Sequence, residues 1–275
     1  MNPPVALITG CSSGIGLAAA VEFARQGCDV VATVRSLDRS GPLRDTLAGA
    51  GCQADIRVLD VADDAVGPAV RSIIQDRGGV DIAVSNAGIG SDGTTEELAV
   101  EDFRNLFETN VLGSVRLLHA LLPAWRRAGA GRFIAVGSIG GVVGQPFNDA
   151  YCMSKFALEG MLESLHPVVA QHGIRISIIE PGPVSGEFQH RSGSPMGRTD
   201  HSPYAAARAR FQAVQDAGYE IAQSTEEIAT VLWQVASSDS PVLRYPTADG
   251  VAKLLGLKLK DVTGERVTGM TSRWI

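Results

Sequence analysis

The sequence predicts one α/β domain, a doubly wound parallel sheet with helices on both faces. Two observations carry this. Short, fully apolar runs alternate with longer segments of helical periodicity, and the first run breaks at a glycine-rich turn that opens directly into a helix. The 275 residues suit one large domain, residues 1–275, and 45% apolar content suffices for a sizeable core.

The strand candidates are Val5–Thr9, Asp29–Val34, Asp55–Leu59, Ile82–Ser85, Arg132–Gly137 and Arg175–Glu180, with Tyr245–Thr247 as a possible last strand. They read as continuous apolar runs and not as strict alternations, as expected for parallel strands covered on both sides. Helical patterns fall at 14–26, 64–77, 102–128, 149–172 and 225–237, with a weaker one at 40–50. The texture changes over 185–224, where Ser185-Gly186, Gly193-Ser194-Pro195 and Gly197 precede a helix-like run from Tyr204 to Ala217. Long excursions in compact α/β domains are often functional, so this segment is expected to be a lid over the active site. The tail from Gly250 mixes Lys, Leu and Gly without an assignable pattern.

Bulk properties exclude several classes. The net charge is −6 and no basic run exists beyond Arg126–Arg127, which argues against a nucleic-acid partner. No stretch approaches the ~20 apolar residues of a membrane span. The start, Met1-Asn2-Pro3-Pro4, has no basic n-region, so a cytoplasmic location is expected. Cys11, Cys28, Cys52 and Cys152 lack C-x-x-C spacing, which points to neither a disulfide framework nor a metal site.

The turn after the first strand reads Thr9-Gly10-Cys11-Ser12-Ser13-Gly14-Ile15-Gly16. Glycines allow a tight turn and close approach to a pyrophosphate, and the helix start offers unpaired N–H groups to an anion. Leu17-Ala18 follows where a phosphate-loop NTPase needs Lys-Ser/Thr, so the turn implies a dinucleotide. The second strand ends in Val34-Arg35 with no acid beside it. An arginine there suits the 2′-phosphate of NADP(H), with Ser12 adding a hydroxyl; the alternative is an exposed strand-end charge. Asp60-Val61 after the third strand could meet an adenine amino group or simply form a turn. Asn86-Ala87-Gly88, after the fourth, combines small residues with an amide able to bridge strand ends.

Tyr151 and Lys155 stand at i and i+4 of a helical pattern and share a face. A free phenol has a pKa of about 10, and a nearby ammonium or oxidised nicotinamide favours its ionised form. Such a tyrosine is a candidate general acid or base. Ser138, just after an apolar strand, could hydrogen-bond a substrate oxygen. Asn110 lies within a long apolar helical pattern, where asparagine is mildly unfavourable. It is expected to hold a kink or an ordered water.

Together these positions resemble the short-chain dehydrogenase/reductase family. Thr9–Gly16, Asn86-Ala87-Gly88, Asn110, Ser138, Tyr151, Lys155 and Pro181-Gly182 occur in that family's order and spacing. The glycine turn, Pro146–Gly160 and Leu243-Arg244-Tyr245-Pro246-Thr247 look like its branch of 17β-hydroxysteroid and retinol dehydrogenases. The resemblance implies a Rossmann-like fold, a homodimer or homotetramer, and a catalytic tetrad of Asn110, Ser138, Tyr151 and Lys155. It implies cofactor contacts from Gly10, Ser12, Ser13, Gly14, Ile15, Gly16, Arg35, Asp60, Val61, Asn86, Ala87, Gly88, Tyr151, Lys155, Pro181, Gly182 and Val184. It also implies NADP(H) preference and a hydrophobic ketone or alcohol substrate. One departure stands out: the family's threonine after the sixth strand is Gly186 here, with Ser185 one residue early. His190 and His201 read as surface residues of the lid. An epimerase or dehydratase on the same scaffold is the rival enzyme. A cofactor-sensing protein is the non-enzymatic alternative, and the joint presence of Tyr151, Lys155 and Ser138 counts against it.

Overall fold

The computed structural model describes residues 2–186, 202–263 and 265. Seven strands form one parallel sheet: β1 (Val5–Ile8), β2 (Asp29–Val34), β3 (Asp55–Val58), β4 (Ile82–Ser85), β5 (Gly131–Val136), β6 (Ile174–Glu180) and β7 (Arg244–Pro246). Their order is β3-β2-β1-β4-β5-β6-β7. The order reverses at β1, which pairs with both β2 (Ile8 with Ala32) and β4 (Ile8 with Val84). In such sheets the crevice beyond the carboxyl ends at the reversal receives ligands.

The helices are α1 (Gly14–Arg25), α2 (Gly41–Gly49), α3 (Val66–Arg77), α4 (Val100–Phe107), α5 (Gly113–Ala128), α6 (Asp149–Ala170), α7 (Ala205–Tyr219), α8 (Thr225–Ser237) and α9 (Asp249–Lys258). Successive strand side chains point to opposite faces, so each strand feeds two cores. Leu7, Val31, Phe133 and Ile176 pack with Leu117, Leu121 and Leu162 on one face. Ile8, Val30, Ala32 and Ile134 pack with Phe23, Ile228 and Leu232 on the other. There α8 lies on α1, with Trp233 edge-on to Phe23 at 5.4 Å between ring centroids. A capping box starts α8: Glu227 N donates to Ser224 Oγ at 3.1 Å and Ser224 N donates to Glu227 Oε2 at 2.7 Å.

The structure departs from the sequence expectation at informative places. The helix expected over 102–128 is two helices joined by a π-turn, Glu108–Leu112. Asn110 sits in that turn with its side chain committed to bonds outside the helix, and π-turns concentrate at functional sites. Thr9, Leu59, Gly137 and Thr247 fall just outside the strands, although each still donates its backbone N–H to the neighbouring strand, so they mark the last rung before the crevice. The unassigned tail contains α9, which buries Val251 and Leu255 against Ile139 and Val142. The segment 185–224 contributes α7; its residues 187–201, with His190 and His201, lie outside the described residues. No helix among the described residues is long and apolar enough to cross a membrane.

Candidate active site

The glycine turn is shaped by lack of space. A Cβ on Gly16 would lie 2.3 Å from the Gly10 carbonyl oxygen and 2.4 Å from Asn86 Nδ2, and one on Gly10 would lie 2.8 Å from Ala87 Cα. Contacts that short are impossible, so both positions require glycine. Gly14 instead has a φ of +60° and faces open space. No side chain caps the start of α1 after Ser13, so its first N–H groups remain available to an anion.

Asn86 bridges the strand ends, as its position after β4 suggests. Its Nδ2 donates to the carbonyls of Thr9 (2.8 Å) and Gly10 (3.2 Å). Thr9 Oγ1 in turn accepts from Asn86 N (3.0 Å) and Ala87 N (3.1 Å). A cleft of about 450 Å³ opens beside the turn, lined by Ser12, Ser13, Gly14, Asp38, Arg39 and Ser185. Arg35 stands exposed at the end of β2 and makes no hydrogen bond or ion pair among the described residues. Asp38 and Arg39 are lining residues that the sequence reading did not single out.

Asp60 Oδ1 accepts from Ala62 N at 3.0 Å, the turn geometry that was its alternative reading. Val61 is buried, and a Cβ on Gly113 would lie 2.9 Å from its side chain. Ile15 packs partly buried beside α1's core. Pro181 O accepts from Ile139 N at 2.9 Å, and a Cβ on Gly182 would meet Val251 at 2.9 Å. Val184 pairs with Gln223 in a parallel bridge, and Ser185 N donates to Gln223 O at 2.9 Å. Gly186 has a φ of +138°, a conformation threonine disfavours, which accounts physically for glycine there.

The four central side chains converge. Ser138 follows β5; its Oγ accepts from Gly140 N at 3.0 Å and hydrogen-bonds the Tyr151 hydroxyl. Lys155 is buried, its Nζ donating to Val136 O at 2.8 Å and lying 5.8 Å from the Tyr151 ring centroid. Asn110 Oδ1 accepts from Ile89 N (2.9 Å), while Nδ2 donates to Ile89 O (3.0 Å) and Ser154 Oγ (2.9 Å). Both Nδ2 protons are therefore used within the protein. Only a lone pair of Oδ1 remains for the expected water. Ser154, the acceptor on α6, is a residue the sequence did not mark.

Burial dominates the electrostatics of the site. Burial pushes the Tyr151 phenol up to about 12, offset in part by the Ser138 hydrogen bond. The Lys155 ammonium is held by the Val136 carbonyl, 5.8 Å from the Tyr151 ring centroid. Burial brings Lys155 itself down to about 8, opposed by the charge of Glu159. Among the described residues no group of three His, Cys, Asp or Glu could hold a metal.

A family model described as short chain dehydrogenase matches residues 4–197. The chain belongs to the short-chain dehydrogenase/reductase family. It is 39% identical to 17-beta-hydroxysteroid dehydrogenase type 1 of Homo sapiens, over 98% of this chain and 85% of that protein. It is 38% identical to retinol dehydrogenase 8 of Bos taurus, over 95% of this chain and 87% of that one. These relatives put it in the branch its motifs resemble. A short-chain dehydrogenase from Streptomyces avermitilis superposes with a TM-score of 0.80 at 29% identity, covering 99% of this chain and 98% of that one. A xylitol dehydrogenase solved with NAD⁺ superposes with a TM-score of 0.79 at 26% identity, over 89% of this chain and 97% of its own. The fold thus serves an NAD⁺ enzyme too and does not itself select the cofactor. The protein is an oxidoreductase acting on CH–OH groups of small molecules.

Proposed function

We propose that this oxidoreductase interconverts a secondary alcohol and a ketone of hydrophobic character, with NADP(H) as partner and Tyr151 as acid and base. The observation that carries this reading is the convergence of Ser138 and Tyr151 hydroxyls above the buried Lys155. A nicotinamide supplies or accepts the hydride and, when oxidised, a positive charge. The Gly10–Gly16 turn fits such a group: the uncapped α1 start and the open space at Gly14 form a cradle for phosphates. Ser12, Ser13, Ile15, Asp60, Val61, Asn86, Ala87, Gly88, Pro181, Gly182 and Val184 would line the dinucleotide, and Lys155 would hold a ribose hydroxyl.

Tyr151 donates its proton to the substrate oxygen in reduction and takes it back in oxidation. Its raised pKa keeps it a proton donor in the absence of a further positive charge. Ser138 orients the carbonyl toward Tyr151 and stabilises charge growing on its oxygen. Asn110 fixes Ile89 and α6 relative to each other, with its free lone pair open to a water of the proton route. The unpaired Arg35 and the cleft-lining Arg39 favour a 2′-phosphate, and Asp38 beside them opposes it. Ile89, Leu98 and Phe103 cluster with Tyr151, and Phe147 packs on Phe211 of α7 with ring centroids 5.8 Å apart, apolar surroundings that suit an apolar ketone. The segment 185–224 acts as a lid through α7. Met153 and Val168 on α6 and Val100 on α4 are exposed apolar residues, in keeping with self-association.

A panel of steroid, retinoid and aromatic ketones tests this, followed by NADPH and NADH absorbance. Consumption of NADPH in preference to NADH is expected. Tight cofactor binding without consumption by any ketone would favour a sensor instead.

A further inference from the structure

Behind Lys155 lies a charged cluster that the proposed chemistry does not use. Tyr151, Lys155, Glu159 and Glu163 follow one another at four-residue intervals on one face of α6. Glu159 is buried on the turn after Lys155. Both lean on one glycine: a Cβ on Gly141 would lie 3.1 Å from Lys155 O and 3.2 Å from Glu159 Cγ. A second glycine, Gly137, leaves room for Glu159 Oε1, which would be 3.6 Å from its Cβ. Glu180, at the end of β6, is fully buried, and Arg244 of β7 reaches in between. Arg244 Nε lies 3.0 Å from Glu159 Oε2 and 3.6 Å from Glu180 Oε1, and its Nη2 pairs with Glu163.

One arginine faces two buried carboxylates here. Among the described residues Glu159 Oε1 and both oxygens of Glu180 have no donor, although all are shielded from water. Two adjacent buried carboxylates cannot both ionise without a severe penalty, so one proton sits between them. Burial drives Glu180 up to about 9, and burial raises Glu159 as well, with the charge of Arg244 opposing both. Arg244 Nε lies nearer Glu159 than Glu180, which favours the charge on Glu159 and the proton on Glu180.

We propose that Glu159, gripped by Arg244 and sharing one proton with Glu180, is a positioning residue that keeps the buried Lys155 ammonium charged. The inference rests on the reading of Lys155 as part of the active site. A buried ammonium whose acceptor among the described residues is the Val136 carbonyl loses its proton readily. A carboxylate one turn away opposes that loss. Arg244 holds Glu159 in place, and the proton on Glu180 prevents a second negative charge from repelling it. The titratable and charged groups around Lys155 are few: Tyr151, Glu159 and Glu163 on α6, Glu180 from β6 and Arg244 from β7. Lys258 of α9 is turned away, lying 4.3 Å from the Phe156 ring centroid. The arginine is drawn from the far end of the chain, so the C-terminal strand reports on the reacting lysine.

The chain has four lysines, Lys155, Lys253, Lys258 and Lys260, so lysine-selective ¹³C labelling yields four side-chain signals. Lys155→Met assigns the one that matters. The full-length protein is titrated between pH 6 and 10 by NMR, as wild type, Glu159→Gln and Glu180→Gln. Glu159→Gln should lower the Lys155 midpoint by about one pH unit. Glu180→Gln, a neutral donor in place of a neutral acid, should leave it within a few tenths. A Glu159→Gln protein that is folded by circular dichroism yet titrates as wild type overturns the proposal. If Glu159→Gln does not fold, Glu159→Asp serves, since it retracts the charge; a downward shift supports and an unchanged midpoint overturns. The alkaline limb of kcat/KM should move with the NMR midpoint. A shifted midpoint without turnover on any ketone would refute the oxidoreduction reading and leave this inference standing. Turnover with an immobile midpoint would do the reverse.

Discussion

The two sides of the crevice are built on opposite principles. On the side of β1 and β4, atoms leave no room: a Cβ at Gly16 would sit 2.3 Å from a carbonyl oxygen, and Asn86 and Thr9 lock the strand ends with four hydrogen bonds. On the side of α7, no residue of the helix is buried. That helix is attached by side chains instead. Arg208 pairs with Asp92 and, at 2.8 Å, with Glu97, and stacks 4.5 Å from the Phe147 ring centroid. Ser202 Oγ donates to Glu97 Oε1 at 2.6 Å, and Tyr204 donates to Glu96. A side that must accept one constant ligand can be fixed by backbone. On the proposed reading α7 is the side that meets the substrate, and it is held by contacts that can be exchanged without disturbing the fold.

The difference should show first in Gly16→Ala. Its added methyl meets backbone and has nowhere to go, so folding or NADPH binding should lose about 3 kcal/mol. Urea denaturation and a cofactor titration measure both. Full retention of both would mean the turn is looser than described. Asn110→Ala comes next. It leaves the Ile89 N–H and carbonyl without their side-chain partner, while Ser154 keeps its bond to the Tyr151 carbonyl, and should cost about 2–3 kcal/mol of stability. Because it also frees the loop beside Tyr151, kcat should fall more than cofactor affinity does.

A smaller effect is expected on the other side. Arg208→Ala removes partly exposed ion pairs worth about 1 kcal/mol or less each. It should raise KM for ketone about fivefold, with Tm and cofactor binding nearly unchanged. A large fall in Tm would place α7 among the structural elements and erase the contrast between the two sides.

How much of this was legible in the sequence follows the same division. The sheet, the glycine turn and the four residues Asn110, Ser138, Tyr151 and Lys155 are local patterns. Each depends on a strand end or a helical spacing that can be read from neighbours. The π-turn was half legible: Asn110 marked a kink, but its width depends on bonds to Ile89 and Ser154. The Glu159–Glu180–Arg244 cluster joins residues from α6, β6 and β7, and no local spacing announces that. A glutamate one turn past Lys155 and another closing an apolar strand were visible signals without a visible partner. The anchoring of α7 by Arg208 on the Asp92–Glu97 loop was invisible for the same reason.

The buried acids also imprint stability. Glu180 is raised from 4.5 to about 9, so the folded protein keeps a proton that the unfolded chain releases. Its contribution is fully present below the ordinary carboxylate range and is lost as pH rises toward about 9. Lys155, lowered from 10.5 to about 8, acts the other way: its contribution is present above its ordinary range and is lost as pH falls toward about 8. From these two groups, stability measured by urea melts should therefore decline from about pH 5 to 8, stay level to about 9 where the two oppose each other, and recover toward 10.5. Glu180→Gln should flatten the decline. An unchanged slope in that variant would show that the two carboxylates do not share a proton.

The most direct measurement is Tyr151→Phe, assayed for both turnover and NADPH affinity. Removing one oxygen keeps the ring over Lys155 and leaves the glycine turn untouched. With Tyr151 as acid and base, kcat should fall by at least about a thousandfold, with NADPH affinity within about threefold of wild type. Retained turnover in that variant would contradict that role.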